Sequence, residues 1–240
     1  LASIIELGND EVYYWTYAMY PDWSHFDHPP MVGWFIQLFS GNLLFTNEFF
    51  LRLSSVICMT INTYLIFLIG KQVKNIQTGF YAALLYTASI YAFIITGIFI
   101  LPDTPLSIFT LLSILYFTKY FQEGNNRHLL FAGLFAGLAM LSKYSGIFIW
   151  IGAGLYVIFY SRKEFRNPFM YLSIIISAIC LLPILIWNIN NDFISFTFHG
   201  DRVGLFGKIH IEYYLIELFG EIIYNNPINY ILIIIALISL

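Results

Sequence analysis

The residues of this chain that could do chemistry fall in four short stretches. The first, GNDEVYYWTYAMYPDWSHFDHPPMVGW from Gly8, carries Asp10, Glu11, Asp22, His25, Asp27 and His28. The others are LPDTPL with Asp103, LSKYSG with Lys143 and Tyr144, and FTFHGDRVG with His199 and Arg202. A carboxylate can take the proton of a hydroxyl nucleophile. Lysine, arginine or histidine can neutralise charge that develops on a phosphate leaving group.

Each stretch also has a purely structural reading. Asp10 and Glu11 suit the first turn of a short helix capped by Asn9. Asp103 or Thr104 can cap a helix whose first position is Pro105. Lys143 can stretch from a membrane edge towards water, and His199 and Arg202 can form the basic rim of an exposed loop. Company favours chemistry. Asp22, His25, Asp27 and His28 follow the first acid pair within one loop, and His28-Pro29-Pro30 fixes the backbone there.

The elements that must hold these residues are membrane helices. Of 240 residues, 59% are hydrophobic and 10% charged, with a mean hydropathy of +0.75. A soluble domain carries about 25% charged residues. Apolar runs at 50–69, 79–101, 105–120 and 168–187 approach the about 20 residues of a spanning helix. Those at 129–141 and 145–160 read as a hairpin of two spans joined at Ser142-Lys143-Tyr144, and a last run starts at 228. Strand alternation is absent, and lone strands leave their backbone unsatisfied in lipid. The expected fold is therefore all-α, a polytopic transmembrane helical bundle with outward juxtamembrane loop helices. It is one domain over 1–240: an external loop at 1–49, about six spans over 50–187, an external loop at 188–227 and the start of another helix at 228–240. The chain starts at Leu1 and stops inside an apolar run, so a fragment lacking helices at both ends is expected; residues 1–7 lack the features of a signal peptide.

Charge sets an expected orientation. If every run crosses once, Lys71, Lys74, Lys119, Arg127, Arg162, Lys163 and Arg166 share one side, seven of the 11 lysines and arginines. Twelve of the 14 acids lie on the other. The positive-inside rule places the basic side in the cytoplasm and all four chemical stretches outside. The formal charge of −3 conceals this split. No basic patch suited to nucleic acid exists, and Cys58 and Cys180, both within apolar runs, read as core residues.

Taken in order, NDEVYYW, PDWSHFDHPPMVGW, LPDTPL, LSKYSG and FHGDR resemble the GT-C membrane glycosyltransferases, in particular the group of the protein O-mannosyltransferases and the aminoarabinose transferases. The resemblance runs from Asn9 to about Gly204. It implies inverting transfer of a hexosyl or pentosyl group from a polyprenyl-phosphate donor to a hydroxyl acceptor on protein, lipid or polysaccharide, at the outer membrane face. It implies catalytic roles for Asp10, as general base, Glu11 and Asp103. It further implies substrate binding by Asp27, His28, Lys143, Tyr144, His199 and Arg202. Where the family often has an acid and a lysine touching metal or lipid phosphate, this chain has Asp27 and His28, so a permanent cation is replaced by a titratable one. A divalent metal occurs in parts of the group, but no diagnostic ligand spacing is present here.

Two other classes compete. A transporter or flippase would place ionisable groups near the bilayer midplane, whereas these runs are almost uncharged at their centres. A scaffold subunit needs no acid pair, second acid and cations facing one compartment. Convergence of Asp10 and Asp103 separates a transferase from both.

Overall fold

The computed structural model of the chain describes residues 2–203 and 211–238, the side chains of 201–203 excepted. Among the described residues there are α-helices and short turns but no strand, the all-helical class read from the sequence.

Two short helices, α1 (Asn9–Met19) and α2 (Met31–Phe39), lie against each other. A Cβ on Gly33 would stand 2.8 Å from that of Tyr17, so only glycine permits this approach. Asn9 does not cap α1. It is the first helical residue, and Glu11 reaches back to accept the Gly8 N–H at 3.0 Å.

Next come α3 (Glu48–Val73) and α4 (Ile76–Ala88), a hairpin closed where Gly70 meets Gly79. Asn47 caps α3 by accepting the Phe50 N–H at 3.1 Å. At 26 residues, α3 is long and apolar enough to cross a membrane alone. The run 79–101 is not one helix. It breaks at extended Ser89, makes a π-helical turn at Tyr91–Ile95 and continues irregularly to α5 (Asp103–Glu123). Backbone beside lipid must find its partners within the protein. Here Ser55 donates to the Phe99 carbonyl at 2.8 Å, and Thr104 to that of Thr96 at 3.1 Å.

The remaining helices are α6 (Asn126–Ser142), α7 (Phe148–Tyr160), α8 (Pro168–Cys180), α9 (Leu182–Asn190), α10 (Ile194–Val203), α11 (Ile211–Tyr224) and α12 (Pro227–Ile238). The run 168–187 bends by 42° between α8 and α9, next to Pro183, and α11 and α12 meet at 105°. By length and composition, each of these bent pairs could form a further span. Helix α6 sits between α5 and α8, with Leu129, Ala132, Ala136 and Ala139 fully buried. Its Gly133 and Gly137 face Ser173 and Ser177 of α8; a Cβ on Gly137 would lie 2.8 Å from the Ser177 Cα. Small residues four apart let membrane helices approach this closely where lipid offers little hydrophobic drive.

The bundle has two chemically distinct ends. At one, Gln72 pairs with Gln122 at 2.6 Å, and Asn167 with Asn126 at 3.1 Å. This end gathers the turns that carry the seven lysines and arginines grouped above. The α1–α2 loop, the 102–105 turn, the 143–147 turn and the start of α10 meet at the other end. The charge split along the chain is thus also a split between two ends. Cys58 and Cys180 are both free, and Cys58 is buried.

Candidate active site

The acidic end is built around α1. Glu11, second of the acid pair, is 3% exposed and points inward. Its carboxylate accepts Arg52 Nε at 2.8 Å and Nη2 at 2.6 Å, the Gly8 N–H and, at 3.1 Å, the Ile100 N–H. Arg52, fully buried, also donates to the carbonyls of Ala2, Ile5 and Glu6. The Glu11 carboxylate is thereby committed within the fold. Asp10, its neighbour, is exposed, and among the described residues no hydrogen bond or ion pair engages its side chain.

Asp103 opens α5, yet neither it nor Thr104 caps that helix. Thr104 turns back to the Thr96 carbonyl instead, leaving the Asp103 carboxylate free of the helix end. It accepts Lys143 Nζ at 2.9 and 3.0 Å and the Tyr91 hydroxyl at 2.6 Å. Lys143 therefore does not simply reach for water. An acid from one hairpin and a base from the next meet across 40 positions of sequence.

Tyr14 stands on α1 with its ring near that of His28. It lies one turn beyond Asp10 on α1, and its phenol is pushed above the ordinary range by burial first, then by the negative charges of Asp27, Asp10 and Asp103. Asp27 is held by the hydroxyls of Tyr13, at 2.8 Å, and Tyr17. His25 stacks on the Tyr17 ring with centroids 3.6 Å apart.

His28 sits 5.6 Å from the Tyr14 ring and 6.3 Å from that of His199, with Nδ1 buried and unpartnered among the described residues. Burial lowers its pKa, Lys143 and His199 lower it further, and Asp27 and Asp103 oppose them. His199 Nε2 is 2.7 Å from the Asp27 carbonyl, and its ring meets Tyr144 edge-on at 5.0 Å. Burial likewise raises the Tyr144 phenol. Asp10, Asp27, His28, Asp103, Lys143, Tyr144 and His199 thus gather at one end of the bundle, while Glu11 turns away to Arg52. Arg202 lies in the last turn of α10, and its side chain is outside the described residues.

The donor set does not suit a divalent metal. Lys143 already holds both oxygens of Asp103, two phenols hold Asp27, and among the described residues no three His, Cys, Asp or Glu side chains converge.

Sequence reasoning gave Tyr144 a role but missed Tyr13, Tyr14, Tyr17, Tyr91 and Arg52. Dense aromatics at a membrane edge do not reveal which phenols will hold carboxylates. Arg52 did carry a signal, as an arginine near the start of an otherwise apolar helix.

Comparison with known proteins points in one direction. The family described as dolichyl-phosphate-mannose-protein mannosyltransferase matches residues 27–187. The lipid A galacturonosyltransferase RgtD of Rhizobium johnstonii is 22% identical in a 192-residue match that covers 76% of this chain and 38% of that protein. The chain thus spans well under half the length of that curated relative. No solved structure matches.

Proposed function

Because the chain belongs to the dolichyl-phosphate-mannose-protein mannosyltransferase family, we propose that it forms the donor-handling part of a multi-pass membrane glycosyltransferase of the GT-C type. In this reading a sugar passes with inversion from a polyprenyl-phosphate donor to a hydroxyl acceptor at the outer face of the cell membrane. The observation that carries it is the Lys143–Asp103 pair, at the end of the bundle where Asp27 and the exposed Asp10 also lie.

Asp10 takes the proton of the attacking hydroxyl, since its carboxylate is exposed and unengaged. The hydroxyl oxygen bonds to the anomeric carbon as the bond to the phosphate oxygen breaks, and the electron pair leaves with polyprenyl phosphate. Lys143 meets the charge that develops on that phosphate. Asp103 and Tyr91 aim the lysine, whose remaining N–H is available to the donor. Glu11 acts through Arg52 and Ile100 as a positioning residue. Arg202 is a second phosphate partner, and His28 and His199 complete the wall. The isoprenoid chain lies among the membrane helices. No step is routed through a metal.

The test is transfer by the full-length protein in vesicles, given polyprenyl-phosphate sugars and membrane extracts as acceptor, with products read by mass spectrometry of glycolipids and glycoproteins. New glycosylation that disappears in Asp10→Asn supports the reading. Movement of the intact donor across the bilayer without sugar transfer would favour the flippase.

A further inference from the structure

Beside the candidate active site lies a cavity of about 290 Å³, lined by Pro21, Asp22, Trp23, Trp34 and Pro183. It joins the loop after α1 to α2 and the start of α9. Asp22 is fixed in it from two directions. Its Oδ1 accepts the Trp23 N–H at 2.7 Å, and its Oδ2 accepts Trp187 Nε1 at 2.8 Å across 165 positions of sequence. Trp23 itself is 56% exposed. The negative charge of Asp22 reaches His25, which stacks on the tyrosine that holds Asp27.

We infer that this slot binds one sugar ring of the acceptor, so that the acceptor of the proposed transfer is itself a saccharide, free or on a lipid or protein. The inference rests on the transferase reading and names the acceptor class it leaves open. Three features select a sugar. The volume lies at the low end for ligand pockets, enough to seat a single sugar ring. Indole faces carry partial negative charge, and the C–H face of a pyranose packs on such a surface. The ring's hydroxyls need acceptors, and each oxygen of Asp22 keeps a lone pair beyond its one internal bond.

The competing occupant is the lipid headgroup layer, where tryptophans commonly anchor membrane proteins. Such anchors turn the indole N–H outward to headgroups. Here the carboxylate of Asp22, fixed by the Trp187 N–H, stands next to Trp23 and repels the phosphates of that layer.

The test uses the full-length protein in phosphatidylcholine–phosphatidylglycerol nanodiscs, with the glucosamine disaccharide chitobiose as probe and saturation-transfer NMR as the readout. Binding is expected in the parent and in Asp10→Asn, with a loss of about tenfold or more in Trp23→Ala and Asp22→Asn. In transfer assays the same two variants should raise KM for a saccharide acceptor while kcat stays within about twofold. Absence of chitobiose binding in the parent overturns the proposal. So does unchanged binding in both variants, or a Trp23→Ala variant that loses only its partition into vesicles. A parent that binds chitobiose but transfers no sugar would sink the transferase reading and leave the slot standing.

Discussion

The guanidinium of Arg52 and the carboxylate of Glu11 form a buried, two-point ion pair, 2.6 and 2.8 Å long, that ties the start of α1 to α3. Removing one partner strands the other charge out of water, at about 3–5 kcal/mol. Arg52→Ala and Glu11→Gln should both therefore lower thermal stability strongly in detergent. The double variant should be less damaged than the sum of the two. Additive losses would mean that the two residues act separately.

Asp10→Asn should behave in the opposite way. The change keeps size and polarity, and no bond of Asp10 is lost. Stability should change by at most about 1 kcal/mol, while transfer falls about 10²–10⁴-fold with donor binding intact. Turnover near the parent rate would move the base to Asp103 or Asp27.

Lys143 and Asp103 can be separated by donor binding. Lys143→Ala loses a charge-assisted hydrogen bond to phosphate, so affinity for a polyprenyl-phosphate lipid should fall about 10–100-fold. Asp103→Asn leaves the lysine its charge and removes a competitor for it. Binding should hold or tighten while turnover drops. Equal weakening in both variants would show that Asp103 meets the donor directly.

His25 gives an acid-side signature. Burial lowers its pKa from 6.5 to about 4, against the pull of Asp22 and Asp27. Between those values the unfolded chain binds the extra proton, so the contribution of His25 to stability is complete above about 6.5 and is lost as the pH falls towards 4. His25→Phe should flatten that part of a melting-temperature profile. An unchanged slope would assign the acid loss to other groups.

Orientation is open to labelling. Ser24 is fully buried and makes a poor probe, whereas Tyr20 is 74% exposed and Lys163 is also exposed. In a background without Cys58 and Cys180, Tyr20→Cys should react with an impermeant thiol reagent from outside. Lys163→Cys should react only after permeabilisation. The reverse pattern would invert the chain in the membrane.

Much of this architecture was legible in residue order. The long runs became helices because lipid leaves the backbone no other partner, and the charge asymmetry became two ends. The break after Ala88 was not legible. Residues 79–101 carry no charge or proline to mark it, and the bonds that hold it come from Ser55, Thr104 and Glu11, distant in sequence or beyond the run. The site divided in the same way. Asp10, Asp27, Asp103 and Lys143 were visible as residue types. That Asp103 would give up its helix cap for Lys143, or that Tyr13 and Tyr17 would hold Asp27, is decided by packing between elements.

The bond from Ile100 to Glu11 also governs adaptability. Ile100 precedes Asp103 by three residues and Glu11 follows Asp10 directly, so one buried carboxylate pins both acids to a common strut. The backbone segments that carry the two acids are thereby coupled. Any adjustment to donors of different girth then falls to the facing wall, where the turn of Lys143 and Tyr144 meets α10 through the rings of Tyr144 and His199, and His199 meets the Asp27 carbonyl. Substitutions that retune donor choice should accumulate on that softer side and leave the strut alone.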